Sequence, residues 1–83
     1  MNNIAAPEKP NPNIAQYLTA LRAEIGMLRI DQEKKDDALK IVNALDMQFE
    51  SGRPDKVVVT DLISQLPSAA VISTINACLL SCL

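Results

Sequence analysis

Two thiols four residues apart, Cys78 and Cys82, are the most reactive groups in this 83-residue chain. On a helix that spacing stacks them on adjacent turns, where they could offer two thiolates to a metal ion. A structural zinc site takes four ligands, however, and the chain has no His and no third Cys, so no metal site is expected within one chain. The thiols then read as small apolar packing groups, with an interchain disulfide or lipidation as their remaining uses. Acid–base chemistry is equally poorly supplied. Without His there is no side chain whose ordinary pKa lies near neutrality, and no Ser or Cys has a base to activate it. Of the carboxylates Asp31, Glu33, Asp36, Asp37, Asp46 and Glu50, the first four are interleaved with Lys34, Lys35 and Lys40 and lack the Gly-centred spacing of a Ca²⁺ loop. They read as a solvated face. With Gly26 and Gly52 the only glycines, no phosphate-cradling loop can form. No catalytic residue, cofactor or metal is expected, and the chain reads as non-enzymatic.

The elements that carry these groups follow a helical period. Residues 1–10 hold Pro, Asn, Ala and single charges without an apolar repeat, which predicts a flexible N-terminal arm. Asn11-Pro12 supplies an N-cap and an N1 proline for a first helix over about 11–29, with Ile14, Tyr17, Leu18, Leu21, Ile25 and Leu28 on one face. Gly26 within it marks either a close helix crossing or an early end. Asp31 is a candidate N-cap for a second helix over about 32–51, and Asp31/Lys35 and Asp36/Lys40 have the spacing of helical ion pairs. Ala38, Ile41, Val42, Leu45 and Phe49 form its apolar face, and Ser51-Gly52-Arg53-Pro54 stops it. Val57-Val58-Val59-Thr60 alone suggests a strand. A lone strand has nothing to pair with, so Asp55 as N-cap and the series Val58/Val59, Leu62, Ile63, Leu66 predict a third helix over about 55–66. Pro67 ends it, and a fourth helix over about 68–82 carries Val71, Ile72, Ile75, Cys78, Leu79 and Cys82 on one face. The expected fold is all-α, a single domain over 11–83 forming a small bundle of three to four helices.

Composition narrows the partners. Hydrophobic residues make up 48% of the chain, yet Tyr17 and Phe49 are its only aromatics, so the core must be aliphatic. A net charge of -2 gives no general attraction to phosphate backbones or anionic membranes. In a helix-turn-helix formed by helices 3 and 4, helix 4 as the recognition helix would offer base edges only Asn76, so nucleic acid is disfavoured. The N-terminus lacks a basic region followed by an apolar run, and two cysteines do not make a disulfide framework. A reducing, cytoplasmic setting is expected.

From Leu62 to Leu83 there is no charged side chain, and one chain of this size has trouble covering so apolar a segment. The functional expectation is a protein–protein interaction module, an adaptor, chaperone-like or assembly subunit of a secretion or phage-type machine, that homo-oligomerises or binds a protein partner. Its interface candidates are Leu66, Ile72, Ile75, Leu79, Leu80 and Leu83. A membrane is the weaker alternative: Gln65, Pro67, Ser68, Ser73, Thr74, Asn76 and Ser81 interrupt the stretch and no basic flank anchors it. The competing function is a small regulator, an inhibitor or helix-turn-helix-like transcription regulator, acting through the charged face around 31–40. In overall plan, an arm, a helical hairpin around a Pro-containing turn and an apolar C-terminal helix, the chain resembles small self-assembling subunits of secretion systems.

Overall fold

The computed structural model describes residues 12–83; the expected arm and the Asn11 cap lie outside them. Four helices follow one another: α1 (Pro12–Met27), α2 (Gln32–Glu50), α3 (Lys56–Ser64) and α4 (Ala70–Ser81). The all-α bundle read from periodicity is therefore the fold, with each boundary within two residues of its expected place. Val57-Val58-Val59 is helical, because packing of Val59 into the core overrides the extended preference of a β-branched run.

Local chemistry accounts for the ends. The Asp55 carboxylate accepts hydrogen bonds from the backbone N–H groups of Val57 and Val58, at 2.9 and 3.3 Å, so α3 starts on a satisfied cap. Gly52 closes α2 at φ 77°, a conformation that costs a side-chain-bearing residue more than glycine. The Ser51 hydroxyl donates to the Gln48 carbonyl and accepts from the Arg53 N–H, while Asp55 N–H donates to the Gln48 side chain, stitching α2 to α3. Asp31 occupies the N-cap position of α2, but its side chain makes no cap bond. Neither expected ion pair forms. Lys35 Nζ reaches back 2.9 Å to the Gly26 carbonyl, where a cation meets the negative end of α1, and Asp36 accepts from Gln32. No other helix crosses close to Gly26, and nothing would meet a Cβ there; this glycine belongs to the early end of α1.

Each helix packs on two neighbours, α1 on α2 and α4, and α3 on α2 and α4, with no direct α1–α3 or α2–α4 backbone approach among the described residues. Tyr17, in the first half of α1, lies beside Cys78 and Cys82, late in α4, which fits an antiparallel pair. The enclosed core takes Ile14, Leu18, Leu21 and Ile25 from α1, Ala38, Val42, Leu45 and Phe49 from α2, Val59 and Leu66 from α3 and its exit, and Ile72, Ile75 and Leu79 from α4. No charged or polar residue is buried with them. Each fully buried aliphatic side chain contributes about 1.5–3 kcal/mol by leaving water, and all four helices feed one cluster.

Candidate interaction face

α4 is the element that sets the site. Its buried stripe, Ile72, Ile75 and Leu79, leaves the opposite side to Ala70, Ser73, Thr74, Ala77 and Ser81, all exposed. Val71 and Leu80 flank that stripe and are exposed as well. These are small residues at helical spacings of three and four, so they make a shallow surface on which another helix could approach closely. Their hydroxyls are less polar than composition suggests. Thr74 Oγ1 donates to the Ala70 carbonyl at 3.1 Å and Ser81 Oγ to the Cys78 carbonyl at 2.7 Å, so both donors are already used by the helix that bears them. Covering this face would strand neither hydrogen.

The neighbouring helix continues the pattern. Outward from α1 stand Ala15, Gln16, Thr19 and Ala23, which with Ala20 line a shallow depression. Arg22 is turned away toward α2, where its guanidinium donates to Asn43 and pairs with Asp46 at 3.2 Å. Glu24, partly buried, is then the only other charged residue in α1, and α4 has none.

The six interface candidates divide sharply. Leu66, Ile72, Ile75 and Leu79 are 9%, 1%, 8% and 0% exposed and belong to the core of their own chain, whereas Leu80 and Leu83 are 36% and 39% exposed. The uncharged C-terminal segment is thus half consumed internally: its apolar stripe meets α1 and α3, and only its outer side faces solvent. Val71, expected on the core face, stands 51% exposed because it lies on the edge of that stripe. The small-residue stripe Ala70, Thr74, Ala77, Ser81 was not among the expected site residues. Its signal is present in the sequence as the complement of the buried period.

Cys78 and Cys82 form no disulfide and are partly buried at the α1–α4 seam. Cys82 Sγ donates to the Cys78 carbonyl at 3.3 Å, and the Tyr17 phenol lies beside both sulfurs. Burial first, and then the two neighbouring sulfurs, hold the Tyr17 phenol protonated above its usual 10.0. Among the described residues no three Cys, Asp or Glu side chains converge to hold a metal ion. No described helix is long and apolar enough to cross a membrane. On the other side of the bundle a cleft lined by Ile30, Lys34, Asp37, Ala38, Ile41, Gln65 and Pro67 lies between the start of α2 and the α3–α4 connection.

No protein-family model, curated protein or solved structure matches the chain.

Proposed function

We propose that this protein is a non-enzymatic interaction module, an adaptor or assembly subunit, that binds another protein through the solvent side of α4. The observation that carries this reading is the uncharged outer face of α4, lined by small residues, with the Thr74 and Ser81 hydroxyls bonded to their own helix, and flanked by exposed Val71, Leu80 and Leu83. Solvent-facing helix surfaces normally carry charge, and an uncharged one is the kind of surface that desolvates at low cost when a partner arrives. The interface thereby narrows from the six expected leucines and isoleucines to Leu80 and Leu83 with the small stripe between Ala70 and Ser81.

The test is co-purification from expressing cells with the tagged full chain, its Leu80→Asp variant, and a Lys34→Glu/Lys35→Glu double variant. The proposal expects Leu80→Asp to release whatever protein the wild type retains, while the double variant keeps it. The reverse pattern would move function to the charged face. That second reading, a small regulator acting through residues 31–40, draws support from the cleft beside Lys34 and Asp37.

A further inference from the structure

We propose that the sulfurs of Cys78 and Cys82 form a binding site for one copper(I) ion, with the Tyr17 phenol of α1 as its neighbour. The three groups come from two helices and meet at one place. Tyr17 lies beside both sulfurs, and Cys82 Sγ is turned back along α4 to 3.3 Å from the Cys78 carbonyl. Both cysteines are partly buried, so they are within reach of an ion in solution. The helix thus holds the pair on adjacent turns of one side, and the packing of α1 on α4 gives that side a wall.

The spacing separates the two uses such a pair could have. Residues i and i+4 of a helix have Cβ atoms about 5–6 Å apart, whereas a disulfide wants them at about 3.5–4.5 Å. Joining the two sulfurs to each other would therefore deform the last turn of α4. An ion between them would not, because two metal–sulfur bonds of about 2.3 Å each let the sulfurs stand up to about 4.6 Å apart. Ligand number then selects the ion. The expectation of no metal within one chain rests on the four ligands that zinc requires. Copper(I), a soft closed-shell cation, is selected by thiolates and is satisfied by two of them.

Loading is a ligand exchange with no change of oxidation state. Each thiol gives its proton to water, two S–H bonds are replaced by two Cu–S bonds, and copper stays monovalent. The bound unit then carries one net negative charge. α4 has no basic residue to offset it, and the group at hand is the Tyr17 hydroxyl. Burial and then the sulfurs themselves keep that phenol protonated, so it can donate to a thiolate. Tyr17 is in this sense a positioning residue, an outer-shell partner of the kind that tunes metal affinity.

The test is titration of the reduced full chain with copper(I), without oxygen, in competition with the coloured copper(I) chelator bicinchoninate. One ion per chain should be held against the chelator. Cys78→Ser and Cys82→Ser should each lose it while circular dichroism shows the helices intact, and Tyr17→Phe, which keeps both thiols, should weaken binding by about tenfold. Zinc(II) at equal concentration should not displace the copper. Copper held undiminished by either serine variant, one ion shared by two chains, or displacement by zinc would overturn the proposal. Unchanged affinity in Tyr17→Phe would also overturn it, since any loose pair of thiols would then serve as well as this cluster.

Discussion

The bundle has two unlike halves. α2 carries Glu33, Lys34, Lys35, Asp36, Asp37, Lys40, Asp46 and Glu50, and α3 adds Lys56 and Asp61, whereas α1 and α4 together carry only Arg22 and Glu24. Both halves contribute to one core, so the difference is not one of folding. It concerns what each outer surface does in water. Mixed charges on α2 keep that side hydrated and also serve the fold, as Lys35 does at the end of α1 and Asp46 does with Arg22. The α1–α4 side has no such duties to charge, and its fully exposed positions are uncharged. A surface of that kind costs little to cover, and this lack of cost is the physical basis of the interaction reading.

The largest effect should come from the shared core. Leu45→Ala on α2 and Leu79→Ala on α4 remove side chains that are fully buried, and each should cost about 2–5 kcal/mol in chemical denaturation, with a single transition in both. Two separate transitions would break the picture of one core beneath two surfaces. The two glycines come next and should move in opposite directions. Gly52→Ala forces a side chain into a positive φ and should cost about 1 kcal/mol, whereas Gly26→Ala, in open helical space, should add about 0.5–1 kcal/mol; thermal melts of the pair decide this. Asn76 sharpens the contrast from inside the uncharged half. Its Oδ1 is buried without a hydrogen-bond partner, so Asn76→Ala should raise stability by up to about 1 kcal/mol through removal of a desolvated acceptor and better helix propensity.

The smallest effect is on pH dependence at the α1–α4 seam. Because the folded state holds the Tyr17 phenol protonated above 10.0, its contribution is complete below pH 10 and declines as pH rises through that value toward the folded pKa, where the unfolded chain ionises first. Denaturation midpoints of Tyr17→Phe should therefore fall less steeply than those of the wild type above pH 10.

The helices were legible because their stops and starts are chemical. Asp55 caps α3, Gly52 with Pro54 terminates α2, and Pro67 keeps Leu66 out of a helix, each through a local requirement that a single sequence displays. The ion pairs Asp31/Lys35 and Asp36/Lys40 were not legible, since the α1 terminus and Gln32 compete for the same groups and spacing cannot reveal a competitor from another element. The candidate interface was legible only in part for a related reason. Periodicity shows that Ile72, Ile75 and Leu79 share a side of α4, but not whether that side is covered by its own chain or by another. The neighbouring helices α1 and α3 decided it, taking the large side chains and leaving Leu80, Leu83 and the small stripe outside.

The most direct test of the docking face is hydrogen–deuterium exchange of the full chain, comparing the chain alone with the chain bound to the protein it retains in co-purification. The account predicts added protection confined to α4 and the adjoining flank of α1, with α2 and α3 unchanged. Protection centred on residues 31–41, or a bound sample indistinguishable from the free one, would contradict it.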